Sequence, residues 1–387
     1  MKKTSIIKPY TKKNGEKCYM FKLYVGVDPL TGKEQYTTRR GFKTKKEADL
    51  TLARIKLEIS KGSFRKQQAE TYQDVYDLWI IQYEKRVEES TFVKTTGIFR
   101  NHILPALGNY KIDKMNVDVC QRHVDEWATK LKNFRMVKSY AAKVLDFAIK
   151  RGYLQANPFA LIEMPKNLKN THLYDANALE NFYTKEQLNT FLKYMGQETN
   201  FKAYTLFQLL AYSGMRKGEA FALTWNDVDF LKNEIRINKA LSKGKNNRIY
   251  EKVTKTRFPR TIKMDQKTMD TLKNWKKQQQ QDYLILGFNT LQPKQLVFSN
   301  DQNKFIQPTK TRKWLEHVLN KYKLPKITTH GFRHTHCSLL LEAGVGLKEV
   351  QDRLGHKDIK TTMNIYAHVS QQAKDGAINK LANYMNM

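Results

Sequence analysis

Acidic side chains are in short supply in this 387-residue sequence, where 37 Asp and Glu face 69 Lys and Arg for a formal charge of +32 at pH 7. So large an excess calls for a polyanionic partner. Nucleic acid fits best, because a duplex offers a row of phosphates that basic side chains bind with release of counterions; an anionic membrane surface is the weaker rival. Cysteine is scarce too. Cys18, Cys120 and Cys337 lie far apart and form no C-x-x-C pair, which points away from a disulfide framework or a cysteine zinc site and toward free thiols in a reducing compartment. No run approaches the roughly 20 apolar residues of a membrane span, and the start, M-K-K-T-S-I-I-K-P-Y, lacks a signal-peptide apolar core, so a cytoplasmic location without membrane attachment is expected. Internal repeats and long low-complexity tracts are also missing.

The length fits two or three domains, and 40% apolar content is enough to fold them. Residues 1–66 hold 18 Lys/Arg and 6 Asp/Glu, 18 − 6 = +12, over a third of the net charge in about a sixth of the chain. Within this basic module Tyr19, Phe21, Leu23, Val25 and Val27 alternate with Met20, Lys22, Tyr24 and Gly26, the period of a half-buried strand. Turn signals flank it at Asn14-Gly15 and at D-P-L-T-G-K (28–33). A further strand at 34–41 leads to Thr44, which can cap a helix carrying Ala48, Leu52, Ile55 and Ile59. The expectation is a small α+β domain of three strands plus a helix.

From Thr71 the pattern turns helical, with Val75, Leu78, Trp79, Gln82 and Tyr83 in one stripe and Val117, Cys120, Val124 and Trp127 in another. Helices are predicted near 71–87, 91–103, 116–131 and 134–151, making an all-α domain over 67–166. Residues 167–181 read as a linker. A mixed α+β, mainly helical domain follows at 182–387. Thr184 and Gln187 make a capping box, a second helix at 204–212 ends at Gly214, and β segments at 234–239 and 248–255 enclose S-K-G-K-N-N as a hairpin loop, with 260–264 as a possible third strand.

The chemistry-bearing residues lie in this last domain. G-M-R-K-G-E at 214–219 puts Arg216 just after a glycine break, where its planar fork could grip two phosphate oxygens. Alone, such an arginine is by default a solvated surface charge. H-G-F-R-H-T-H at 330–336 places His330 and Arg333 one helical turn apart, two donors facing one spot. L-G-H at 354–356 and Y-A-H at 366–368 follow, with Asp358, Thr361 and Thr362 as helix-start residues between them. Each histidine, and Tyr366, taken singly is more often a packing residue; their joint order is what counts.

In that order the domain resembles the tyrosine recombinase, or phage integrase, family. The resemblance rests on Gly214, Arg216, Gly218 and Glu219, on His330, Arg333 and His334, and on Leu354, Gly355, His356, Tyr366 and His368. The family's hairpin lysine is matched by V-T-K-T-R-F-P-R at 253–260, which selects Lys255 over Lys252 and Lys263. The resemblance implies cleavage of DNA by Tyr366 to a 3′-phosphotyrosine and a free 5′-hydroxyl, with no cofactor and no metal. Arg216 and Arg333 would stabilise the nonbridging oxygens, His330 would accept the tyrosine proton, Lys255 would protonate the leaving oxygen, and His356 would donate a further hydrogen bond. Glu219 is expected to orient Arg216 or the adjoining helix.

The middle domain resembles the family's core-binding domain, with Lys94, Arg100, Lys111, Arg135, Lys138 and Lys143 among its basic residues. The N-terminal module resembles the arm-binding domain of integrases from phages and conjugative transposons, with Lys22, Tyr24, Arg39 and Arg40 as candidate DNA contacts. The partners implied are double-stranded DNA at core and arm sites, three further copies of the chain in a tetramer, an excisionase and a host DNA-bending protein. The segment 370–387, with Ala373, Ala377, Leu381 and Tyr384 at helical spacing, could dock on a neighbouring subunit or on its own domain. Three alternatives stay open: a type IB topoisomerase, a DNA-binding regulator without catalysis, and a metal site built from His330, His334, His336 and Cys337. Against the last, no acidic ligand or H-E-x-x-H pattern accompanies the cluster, and His336 lies off the face that His330 and His334 share.

Overall fold

A computed structural model describes residues 6–12, 15–27, 32–60, 69–165, 181–253, 259–356, 358–359, 362–363 and 385. The chain divides into two compact units, one of residues 1–86 and 95–165, the other of 87–94 and 166–387. The expected linker falls almost entirely outside the described residues.

In the first unit β1 (Ile7–Thr11), β2 (Lys17–Val27) and β3 (Glu34–Phe42) form an antiparallel sheet in the order β1-β2-β3. Ile7 and Phe21, in register across β1 and β2, are buried under α1 (Lys45–Ser60) with Ala48, Leu52 and Ile55. Thr44 Oγ1 accepts from the Glu47 amide at 3.2 Å, which is why the helix starts there. The simple alternation predicted for β2 holds only through Leu23. A register shift between Tyr24 and Gly26 leaves Val25 without a partner, and Val27 beyond it is 54% exposed. An inserted residue reverses which side chains face the core.

The helical part of this unit comprises α2 (Tyr72–Glu84), the end of α3 (Glu89–Ile98) from Thr95 on, α4 (Leu104–Leu107), α5 (Val117–Lys130) and α6 (Phe134–Lys150). Its core gathers Tyr72, Val75, Trp79, Phe99, Val124, Trp127, Val137 and Val144. The helix predicted to stop at 103 instead runs through Pro105, by way of a π-helical turn at Phe99–Ile103. The wider turn accommodates a ring that would strike a carbonyl of a regular α-helix.

The second unit is built on α7 (Lys185–Met195), α8 (Phe201–Ser213), α9 (Lys217–Ala220), α10 (Gln266–Ile285), α11 (Lys310–Lys321), α12 (Gly331–Glu342) and α13 (Leu347–Leu354). The capping box is present, with Thr184 Oγ1 accepting from the Gln187 amide and Gln187 Oε1 from the Thr184 amide. Most of α8 is buried, and Phe207 meets Phe332 of α12 at 5.2 Å between ring centroids. The predicted hairpin is corrected by two separate pairings. β5 (Glu234–Ile237) lies between β4 (Val228–Asp229) and β8 (Arg260–Lys263), whereas β7 (Ile249–Val253) pairs with β6 (Lys239–Lys243). Ile235 stands opposite Ile262, and Ile237 beside them is buried too, so the apolar face draws β8 to β5 across the intervening hairpin. Among the described residues no helix is long and apolar enough to cross a membrane.

Candidate active site

The site begins where α8 ends. Gly214 has φ +64°, and a Cβ there would sit 2.5 Å from His336 and Leu354, so the turn admits glycine alone. Arg216 follows as the residue that caps α9. Its backbone amide donates to Glu219 Oε2 at 3.0 Å and its Nη1 to Glu219 Oε1 at 2.9 Å. Glu219 is 1% exposed and is shared with a second arginine, since Arg260 Nη2 reaches Oε2 at 2.7 Å. Burial pushes the Glu219 carboxyl up, but hydrogen bonds and charge from Arg260 and Arg216 outweigh it and hold the group below its ordinary value. Glu219 therefore stays ionised and orients both guanidinium groups.

The last turn of α13 supplies the other acceptors. Three successive carbonyls there each take a hydrogen bond from a different arginine: Arg353 O from Arg260 Nε at 3.1 Å, Leu354 O from Arg333 Nη2 at 2.8 Å, and Gly355 O from Arg216 Nη2 at 3.3 Å. These are carbonyls that a helix end leaves unpaired, at the negative end of its dipole. Arg333 also donates from Nη1 to Gly214 O at 2.8 Å, tying the two glycine turns together. It is 3% exposed, and burial, with Arg216 adding to it, lowers its guanidinium to about 9. It keeps its charge at neutral pH. A guanidinium carries five N–H donors, and these two contacts leave three that are not engaged among the described residues.

His356 completes the turn, with Nδ1 2.9 Å from Thr362 Oγ1. Burial first, then the charges of Arg333, Arg216, His334 and His330, depress its imidazole to about 3. His330 stands exposed at the start of α12, its ring perpendicular to that of His334 at 4.8 Å. A cavity of about 1080 Å³ opens beside it, bordered by Lys217, Arg312, Lys323 and Lys326 above Leu315 and Leu319.

The structure thus brings Arg216, His330, Arg333 and His356 together. Lys255, Tyr366, His368 and the C-terminal segment 370–384 lie outside the described residues, although β7 and β8 on either side of Lys255 are described. Of its competitors, Lys252 lies 4.0 Å from Glu88 and Lys263 is exposed on β8. His336 is spoken for: Nδ1 donates to Ala211 O at 2.8 Å and Nε2 accepts from Arg353 Nε at 3.0 Å, leaving neither ring nitrogen to join His330 and His334 as a ligand. Cys337 is buried, with its thiol pushed up to about 11 by burial.

Arg260, Arg353 and Thr362 were not singled out as site residues by sequence reasoning. The available signals were slight: a basic residue in the final turn of a helix just before L-G-H, and an arginine at the first position of a short strand.

In the other unit the four candidate contacts divide by sheet face. Lys22, Tyr24 and Arg40 share the face away from α1, where Tyr24 packs edge-on against Tyr36 at 5.5 Å and Lys22 Nζ sits 4.6 Å from the Tyr36 ring. Arg39 pairs with Phe21 on the opposite face and reaches Glu70 at 3.0 Å.

Residues 181–373 match the model of the phage integrase family, 71–128 the phage integrase N-terminal SAM-like domain, and 8–59 an arm DNA-binding domain. The chain is 28% identical to a tyrosine recombinase XerC-like protein of Caldanaerobacter subterraneus subsp. tengcongensis, over 98% of each. It is 25% identical to the ICEBs1 integrase of Bacillus subtilis, over 95% of this chain and 97% of that one. Its fold is similar to that of the Tn1549 transposon integrase in complex with a circular intermediate DNA, at TM-score 0.67 and 21% identity, covering 81% of this chain and all of that one. A lambda integrase tetramer bound to a Holliday junction aligns at TM-score 0.56 and 15% identity over 92% of this chain and 94% of that one.

Proposed function

This chain belongs to the phage integrase family, the tyrosine recombinases, and on that premise we propose that it integrates, and also excises, a mobile element by cutting and rejoining DNA through Tyr366. The observation that carries the reading is the convergence of Arg216, Arg333 and His356 at the last turn of α13, with His330 near enough for its charge to bear on His356. Cations fixed there by Glu219 and by backbone carbonyls need no reorganisation when charge builds on a phosphorane-like transition state. Tyr366 would attack the phosphorus as His330 takes its proton, and the P–O5′ bond would break as Lys255 gives a proton to the leaving oxygen. A tyrosine near pKa 10 needs such help. The 2.9 Å contact of Nδ1 with Thr362 Oγ1 allows the tautomer in which the hydroxyl donates, and that tautomer would put the His356 proton on Nε2, toward a nonbridging oxygen. The arginines supply the charge stabilisation that a metal ion would otherwise provide, so the reaction is expected to proceed without one.

We assign 1–66 to arm-site binding, 67–166 to core-site binding, 167–181 to a linker and 182–387 to catalysis. The face bearing Lys22, Tyr24 and Arg40 is the one that would meet arm DNA, and Arg39, engaged by Glu70, is the weaker candidate. The working assembly would be a homotetramer on two DNA sites in the cytoplasm, associated with the nucleoid, with an excisionase and a host DNA-bending protein as accessories.

The test is recombination between two attachment sites on separate plasmids in excess chelator. Joined recombinant products are expected at the rate seen without chelator. Relaxation of supercoils without exchange would favour the topoisomerase reading, and a mobility shift with neither activity would favour a regulator.

A further inference from the structure

We propose that Arg353 is a positioning residue for strand cleavage, a brace that holds the last turn of α13 so that Arg216, Arg333 and His356 meet one phosphate. The inference rests on the site assignment above and adds a residue outside its catalytic set.

Among the described residues the apolar anchorage of α13 is small. It is an eight-residue helix whose buried side chains, Val350 and Leu354, join Cys337 and Leu341 in a cluster edged by the partly buried Leu340, Val345 and Leu347. Non-directional packing of that size resists separation but sets orientation loosely. Arg353 supplies what packing lacks. Each of its three guanidinium nitrogens donates to a different element: Nε to His336 Nε2 of α12 at 3.0 Å, Nη1 to Lys263 O at the end of β8 at 2.9 Å, and Nη2 to Tyr212 O of α8 at 3.2 Å. His336 is locked as an acceptor, because its Nδ1 proton is given to Ala211 O.

The backbone of the same residue faces the site. Arg353 O takes Arg260 Nε, and Arg260 in turn grips the carboxylate that orients Arg216. The next two carbonyls hold Arg333 and Arg216 directly, and His356 follows. A tilt of this turn would therefore move Arg216, Arg333 and His356 together, while Arg353 itself commits a hydrogen bond from each of its three nitrogens to the protein. A planar fork with donors at fixed angles can grip three elements at once, which a point charge cannot reproduce.

The test is single-turnover cleavage of a nicked attachment-site duplex at saturating enzyme, with DNA affinity and thermal unfolding measured on the same proteins. For Arg353→Met we expect cleavage slowed on the order of 100-fold, the scale of a misplacement near 1 Å, with affinity for DNA unchanged. Arg353→Lys, which keeps the charge and part of the donor set, should fall between the two. A folded Arg353→Met protein that cleaves at the wild-type rate overturns the brace. So does a deficit that more enzyme abolishes, or one that simply tracks the unfolded fraction in both variants. If the wild type itself forms no adduct, the site assignment falls and the brace with it; cleavage by wild type alongside an equally fast Arg353→Met removes the brace alone.

Discussion

Glu219 carries one negative charge against Arg216 and Arg260, and the remainder of their balance comes from the carbonyl end of α13. Burial and the neighbouring arginine charges lower the imidazoles of His334, His336 and His356 below their ordinary value. His336 makes this measurable, since burial first and the Arg353 charge second lower it to about 4. Above pH 6.5 both folded and unfolded states hold it neutral and its contribution is fully present. As pH falls toward 4 the unfolded chain gains a proton that the folded one refuses, and stability drops by about 1.4 kcal/mol per pH unit from this group. Urea unfolding at pH 7, 6 and 5 should therefore show a steeper acid loss for wild type than for His336→Phe, whose parallel decline would contradict the assignment. At this scale the sequence motifs located Arg216, His330, Arg333 and His356, because each stands in a box of fixed order. Arg260 and Arg353 were illegible. Their roles lie in contacts with residues 41 and 93 positions away, and a chain with 69 basic residues offers nothing local to mark them.

Between elements, the turn from α8 into α9 controls where Arg216 points. Gly214→Ala places a methyl against His336 and Leu354 in a left-handed backbone conformation. The conformational strain is about 1–2 kcal/mol and the overpacking about 1–3 kcal/mol, so a loss of at least about 2 kcal/mol is expected in denaturant unfolding. A loss under half of that would mean the turn relaxes freely. Helices were readable because their apolar period is local, as Val75, Trp79 and the Thr184 capping box illustrate. Strand pairing was not, because Ile262 chooses Ile235 across an intervening hairpin that also offers a partner. Register on β2 was lost for a related reason: the unpaired Val25 reverses the alternation, and no residue type announces that shift.

For the molecule as a whole, the +32 charge points to a polyanion, while the chemistry is argued from a handful of side chains on α9, α12 and the end of α13. Charge alone serves a DNA-binding regulator as well as a recombinase. What separates them is a covalent bond to one tyrosine. The most direct measurement uses a suicide attachment-site duplex whose cleavage releases a short 5′-hydroxyl fragment, followed by denaturation, proteolysis and mass analysis of the peptide that keeps the DNA. A denaturant-resistant adduct mapping to Tyr366 and lost in Tyr366→Phe is expected. An adduct that persists in Tyr366→Phe, or wild-type protein that binds a verified site and forms none, would contradict it.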